Sequence, residues 1–208
     1  MKIVSHRGFW IADHEKNTNV SFDRAVKNKF GIETDIRDRL GSIVISHDLP
    51  LGTELNLINF LNSIPEASYR DLNLALNVKS DGLAGTIKTT ILKYPNLQYF
   101  LFDMSIPDTF DYIRHKLPFY SRMSEYEKTP AFISASSGVW LDSFDSDWFD
   151  APIIQQLLNL EKSICIVSPE LHGRDYTNVW NLLKSFASNK NLMICTDYPD
   201  RAANYFKT

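Results

Sequence analysis

Two histidines and a pair of carboxylates are the residues of this sequence best suited to chemistry. His6 lies in SHRG at 5–8 and His47 lies in SHD at 46–48. Glu33 and Asp35 lie two apart on a predicted strand, so their carboxylates face the same way. Such a pair repels unless a cation lies between them, and oxygen ligands of this kind suit Mg²⁺ or Ca²⁺.

These residue types together fit the cleavage of a phosphodiester. One histidine would take a proton from the attacking oxygen, and the other would give a proton to the leaving oxygen. A cation would neutralise charge on the phosphoryl oxygens. Each signal also has a simpler interpretation, because a lone histidine is often a satisfied core residue and the E-x-D pair could bind Arg37 or Arg39.

Short apolar runs predict the strands that must position these groups. Eight of them alternate with segments of helical periodicity, and a further strand at 42–46 follows the second. The predicted strands are 2–6, 31–36, 72–79, 97–103, 118–122, 138–142, 164–168 and 192–197. The predicted helices are 19–30, 54–63, 83–93, 107–116, 151–160, 176–189 and 199–206. This alternation predicts a compact (β/α)8 TIM barrel, with an open doubly wound sheet as the alternative.

The strand ends carry polar side chains, which favours the barrel. In a barrel the carboxyl ends of the strands form one mouth, where active sites are built. Some of these residues could instead be helix N-caps or turn residues. The predicted strand ends are His6, Asp35, Lys79, Asp103, Arg122, Asp142, Ser168 and Asp197. Arg122 would suit a phosphate as a cation at such an end.

Composition limits the class of protein. The 208 residues are 44% hydrophobic and 23% charged with a net charge of −3, as expected for one globular domain over 1–208. No basic stripe suggests a nucleic-acid partner, and no apolar run reaches the roughly 18 residues of a membrane span. Cys165 and Cys195 lie in apolar runs, so we expect buried thiols and a cytoplasmic protein. The oligomeric state is left open.

Four motifs in the first 48 residues carry a resemblance to a known family. HRG at 6–8, NTNVSF at 17–22, GIETDI at 31–36 and VISHD at 44–48 resemble the glycerophosphodiester phosphodiesterases in order and approximate spacing. That family is a (β/α)8 barrel related to phosphatidylinositol-specific phospholipase C. Later stretches, FDMSIPD, SRMSEYE, GVWLDSF and VSPELHGRD, are similar to a small branch of it.

The resemblance implies roles for matching residues. His6 and His47 would be the acid/base pair, and a divalent cation, Mg²⁺ or Ca²⁺, would be the cofactor. The hydroxyl next to the phosphodiester would attack phosphorus, and water would then open a cyclic phosphate. Glu33 and Asp35 would bind the cation, Arg7 would contact the phosphate of a small phosphodiester substrate, and Lys79 would support the phosphate or the metal-bound oxygens.

Asn77 is the main departure from the family pattern. LALNVK at 74–79 stands where the family has a strand ending in Glu-x-Lys, so an amide replaces the third metal-binding carboxylate. An amide oxygen can bind Mg²⁺ or Ca²⁺ but brings no charge. The substitution therefore leaves open a non-catalytic barrel that binds phosphodiesters. A Schiff-base enzyme using Lys79 is a third alternative, which gives the histidines no role.

Overall fold

The computed structural model describes residues 1–207 and divides the chain into two compact units. The terminal unit contains Met1–His6 and the chain from Tyr120 onward, and the central unit contains Arg7–Phe119. Eight strands pair in parallel and alternate with helices, which confirms the predicted (β/α)8 barrel. No helix in the described chain is long and apolar enough to cross a membrane.

The central unit is built on three parallel strands and one antiparallel hairpin strand. β2 pairs in parallel with β4, which pairs in parallel with β5, while β3 turns back antiparallel along β2. Its strands are β2 (Gly31–Arg39), β3 (Ser42–Ile45), β4 (Leu74–Val78) and β5 (Tyr99–Phe102). Its helices are α1 (Asn19–Lys27), α2 (Leu57–Ser63), α3 (Ala84–Ile91) and α4 (Ile106–Arg114). All five residues of β4 are buried, including the polar Asn77.

The terminal unit is built on five parallel strands in the order β1-β9-β8-β7-β6. Its strands are β1 (Lys2–His6), β6 (Tyr120–Met123), β7 (Gly138–Leu141), β8 (Ser163–Val167) and β9 (Leu192–Thr196). Its helices are α5 (Ala151–Asn159), α6 (Thr177–Lys184) and α7 (Pro199–Tyr205). Short 3₁₀ helices lie at Asp13–Glu15, Glu66–Ser68 and Pro169–His172.

Short polar side chains begin several of the helices. Asn56 accepts a hydrogen bond from the backbone N–H of Ile58 at 2.8 Å and starts α2. Ser105 accepts from the N–H of Asp108 at 3.2 Å and starts α4. Such caps satisfy backbone donors that have no partner within the helix. Asn56 also marks the end of the loop that carries His47.

Candidate active site

The HRG segment forms a tight, bonded turn at the start of the central unit. Arg7 and Gly8 both adopt left-handed backbone conformations, with φ of 55° and 82°. A Cβ on Gly8 would lie 2.5 Å from Ser21 Oγ, so only glycine fits between this turn and α1. The carbonyl oxygen of Arg7 accepts hydrogen bonds from the Asn17 N–H at 3.0 Å and from Ser21 Oγ at 3.1 Å. These contacts hold Arg7 in an unusual conformation, which is common at functional sites.

Glu33 and Asp35 are buried beside this turn. They are only 2% and 1% exposed, and Glu33 Oε2 accepts the backbone N–H of Arg7 at 3.1 Å. Asp35 Oδ2 accepts from Asn17 Nδ2 at 2.9 Å and lies 3.2 Å from Arg7 Nε. Lys79 Nζ lies 3.4 Å from Asp35 Oδ1. The negative charge of the buried Asp35 carboxylate is therefore balanced by the positive charges of Arg7 and Lys79.

Asn77 lies directly opposite Asp35 in the register between β4 and β2. It is 8% exposed, and its Oδ1 has no hydrogen-bond donor among the described residues. A buried acceptor without a donor costs about 1–3 kcal/mol, so a ligand at this position would relieve a real penalty. Glu33, Asp35 and Asn77 all offer side-chain oxygens as metal ligands, and oxygen ligands fit a hard cation. Within residues 1–207, no three or more His, Cys, Asp and Glu side chains are grouped to hold a metal ion.

His47 lies on the loop that follows β3 and is more exposed than the carboxylates, at 44% of its side chain. Its Nδ1 lies 2.9 Å from Asp48 Oδ1, and this hydrogen bond holds the pKa of Asp48 below its usual value. Arg37 Nη1 donates to the carbonyl oxygen of His47 at 3.1 Å. The loop is closed at its base by the N–H of Ile45, which donates to the carbonyl of Leu55 at 2.8 Å.

A single pocket of the central unit contains both Arg7 and His47. Its volume is about 820 Å³, within the range of small-molecule sites. Much of its lining is polar, and the chain segments 16–19 and 45–56 form most of its wall. Polar side chains in the lining include Lys16, Asn17, Asn19, Thr53 and Asn59. The central unit therefore brings a guanidinium and an imidazole to one cavity, next to a buried carboxylate pair.

His6 lies in the terminal unit, at the end of β1, and is bonded to a carboxylate. Its Nδ1 lies 2.7 Å from Asp197 Oδ1, directly after β9. A carboxylate at Nδ1 keeps a proton on that nitrogen and orients the ring, as it does for many histidine bases. Asp197 was noticed in the sequence only as one of several polar strand ends. Its position at the end of the last strand, next to the first in a (β/α)8 barrel, is the signal that pairs it with His6.

The remaining predicted residue, Arg122, forms an ion pair with Glu127 in the terminal unit. The SEYE stretch after it forms a turn in which Ser124 Oγ accepts from the Glu127 N–H at 3.2 Å. No helix follows between β6 and β7 in the described chain. Further along, His172 Nε2 lies 2.7 Å from Asp142 Oδ1, and this hydrogen bond raises the pKa of His172.

The same fold occurs in solved phosphodiesterase structures. The chain superimposes on a glycerophosphodiester phosphodiesterase from Agrobacterium tumefaciens with a TM-score of 0.72 and 18% identity, covering 99% of this chain and 98% of that one. A Thermotoga maritima glycerophosphodiester phosphodiesterase gives 0.64 and 13%, covering 97% and 96%. The chain has the fold of the glycerophosphodiester phosphodiesterases.

One further similar structure is a phosphatidylinositol-specific phospholipase C. A Ca²⁺-dependent phosphatidylinositol-specific phospholipase C from Streptomyces antibioticus gives a TM-score of 0.59 at 11% identity, covering 99% of this chain and 96% of that one. No protein-family model matches the sequence, and no curated protein matches it. The similarity therefore lies in the fold and in the short motifs of the first 48 residues.

Proposed function

We propose that this chain is a member of the glycerophosphodiester phosphodiesterase family and a phosphoric diester hydrolase. The observation that carries the proposal is the buried pair Glu33 and Asp35, bonded to Arg7 of the HRG turn, in a unit whose pocket also contains His47. This is the set that the family motifs name, and it lies on the same fold. The substrate we propose is a small glycerophosphodiester, which the polar pocket would accept.

The proposed roles follow from the chemistry and the contacts of each side chain. His6 and His47 transfer the protons, one as general base and the other as general acid. Arg7 and Lys79 attract the phosphodiester, because both carry positive charge beside Asp35. Asp197 orients the ring of His6 through its 2.7 Å contact with Nδ1. We also propose Arg122, whose Nε is paired with Glu127, as a phosphate contact.

Glu33, Asp35 and Asn77 are the residues that would hold a divalent cation, Mg²⁺ or Ca²⁺. When bound, such a cation would supply positive charge to the phosphoryl oxygens. The unpartnered Oδ1 of Asn77 supports this position, because a cation there would satisfy a buried acceptor. With two carboxylates instead of three, and with Arg7 and Lys79 already near Asp35, we expect weak cation binding.

A second candidate function is a phosphodiester-binding barrel that does not turn over. Two observations favour it: an amide at position 77 and an Asp35 already paired with two cationic side chains. Such a site would keep the positive charge that attracts a phosphodiester. It would lack the third carboxylate that strengthens cation binding in relatives.

The test is hydrolysis of a phosphodiester panel by the purified chain with Mg²⁺, Mn²⁺ or Ca²⁺. We expect hydrolysis of glycerophosphodiesters, abolished in His6→Ala and in His47→Ala. His14→Ala is the matched control, because His14 lies in the Asp13–Glu15 turn and has no proposed role. A correctly folded protein that cleaves no member of the panel refutes the hydrolase proposal. Calorimetric binding of a glycerophosphodiester by that inactive protein favours the binding barrel.

The setting of the protein is also part of the proposal. Cys165 and Cys195 are buried thiols, which supports a reducing compartment, and we propose the cytoplasm. We further propose that residues 1–208 act as one domain, because the matched enzymes align over nearly their whole length.

A further inference from the structure

Glu170 lies in the terminal unit at the centre of a hydrogen-bond network that no proposed role uses. It belongs to the short 3₁₀ helix that follows β8 and is partly buried. Its Oε1 accepts from the hydroxyl of Thr196 and from the backbone N–H of Asp197, the latter at 3.2 Å. Its Oε2 accepts from the hydroxyl of Ser168. One carboxylate thus collects three donors from the ends of β8 and β9.

The network is anchored on both sides by fully buried groups. Ser168 and Thr196 are both 0% exposed. Ser168 Oγ accepts from Trp180 Nε1 on α6 at 2.8 Å, and Thr196 Oγ1 accepts from the N–H of Tyr198 at 3.0 Å. Rotation of the Glu170 side chain would therefore leave buried hydroxyls without an acceptor, which is unfavourable. Glu170 is held firmly in one place.

The residue that Glu170 fixes is the one that orients His6. The backbone N–H of Asp197 donates to Glu170 Oε1, and Asp197 Oδ1 lies 2.7 Å from His6 Nδ1 as the acceptor. Asp197 directly follows β9, where the strand ladder ends and the backbone is no longer held by pairing with a neighbour. The Glu170 carboxylate replaces that missing support. A shift of the Asp197 backbone would change the distance and the angle of the bond to His6.

We propose that Glu170 is a positioning residue, which holds Asp197 so that Asp197 fixes the orientation and tautomer of the His6 imidazole. The expected effect of Glu170 on kcat rests on the proposed hydrolase function. The ordering of His6 follows from the contacts alone. Glu170 does not touch the substrate in this scheme, and it acts through the main chain of Asp197.

The experiment compares three variants at Glu170 with a matched control. Glu170→Ala removes the acceptor, and Glu170→Asp draws the oxygens back by one methylene while keeping the charge. Glu170→Gln keeps an oxygen for Thr196 and Asp197, and its amide group can donate to Ser168. Ser168→Ala is the control, because it removes the two hydrogen bonds of Ser168 Oγ, with Glu170 and with Trp180, and leaves the bond between Glu170 and Asp197 in place.

Two readouts separate positioning from a purely structural role. The first is the ¹H–¹⁵N signal of His6 Nδ1–H, assigned by its loss in His6→Ala, which reports the bond to Asp197 without any substrate. The second is the split between kcat and KM on a glycerophosphodiester. We expect Glu170→Ala and Glu170→Asp to weaken the Nδ1–H signal and to lower kcat about tenfold to a hundredfold, with little change in KM. Glu170→Gln and Ser168→Ala should stay close to wild type in both.

The proposal is overturned if the Nδ1–H signal and kcat of Glu170→Asp match those of Glu170→Gln. It is also overturned if Ser168→Ala lowers both as much as Glu170→Ala does at equal loss of stability. Should Glu170→Ala fail to fold, the Asp and Gln variants decide the question alone. If the wild type hydrolyses no phosphodiester, the proposed function fails, and the Nδ1–H signal still decides whether Glu170 positions His6.

Discussion

Replacing Gly8 with alanine tests whether the HRG turn depends on close packing as well as on backbone conformation. Gly8 has a φ of 82°, and a left-handed conformation costs an alanine roughly 1–2 kcal/mol. The new Cβ would also lie 2.5 Å from Ser21 Oγ, 2.8 Å from Ser21 Cβ and 2.9 Å from the Ser21 carbonyl carbon. Relief of such overpacking costs about 1–3 kcal/mol more. We therefore expect Gly8→Ala to lower the free energy of unfolding by about 2–5 kcal/mol.

Gly82 provides the control that separates the two contributions. Its φ is 84°, nearly that of Gly8, yet a Cβ there would have nothing within 4 Å. Gly82→Ala should therefore cost only the conformational part, roughly 1–2 kcal/mol. Urea unfolding of both variants, followed by tryptophan fluorescence, gives the difference directly. Because Ser21 also bonds to the Arg7 carbonyl, Gly8→Ala should in addition weaken phosphodiester binding, whereas Gly82→Ala should not.

The refuting result is a loss of stability in Gly8→Ala no larger than in Gly82→Ala. That outcome would mean that Ser21 and the start of α1 move aside at little cost. The hydrogen bonds from Ser21 Oγ to the carbonyls of Arg7 and Thr18 would then not hold the turn firmly. The account of how Arg7 is positioned would have to be abandoned.

Three other predictions follow from buried or paired groups. The hydrogen bond to Asp142 raises the pKa of His172 in the folded protein. Protonated His172 should therefore contribute stability that is fully present below about pH 6.5 and is lost as the pH rises through the higher pKa of the folded state. Urea unfolding midpoints at several pH values should show this loss, and Asp142→Asn should abolish the pH dependence. Asn77→Glu should tighten Mg²⁺ or Ca²⁺ binding measured by calorimetry, and an unchanged affinity would place the third ligand elsewhere. Tyr112→Phe should leave the melting temperature unchanged or raise it, because the buried hydroxyl has no partner among the described residues; a fall of several degrees would reveal a bond to that hydroxyl.

The fold was predictable from the sequence because its signals are local and repeated. Apolar runs and helical stripes predicted the nine strands and seven α-helices found within residues 1–207, and most errors lie at the ends of elements. The predicted helix 19–30 ends at Lys27, because Lys29 adopts a left-handed φ of 58°. Phe30, the last residue of that predicted helix, follows the turn, and its ring centroid lies 5.6 Å from that of Phe9. Periodicity alone cannot distinguish these two positions.

The partners of the site residues were harder to predict than the residues themselves. E-x-D suggested ion pairs with the adjacent Arg37 or Arg39, whereas Asp35 lies beside Arg7 and Lys79 on other segments. Arg37 instead bonds to the carbonyl of His47. Such pairings depend on strand register and on the rotamer of each side chain, and a local sequence pattern encodes neither. The hydrogen bonds that Glu170 accepts from Thr196 and Asp197 likewise join segments far apart in the sequence.

The loop between β3 and α2 is closed at its base independently of the carboxylate pair. The N–H of Ile45 donates to the carbonyl of Leu55, and Asn56 caps the next helix. Residues 49–54, which follow His47 and line part of the pocket, can therefore be exchanged or lengthened as a cassette while His47 itself is kept. Glu33 and Asp35 lie on β2, outside that cassette. Related chains could diverge in substrate preference through this loop while inheriting the same charged centre, and loop grafting is a direct route to new specificity.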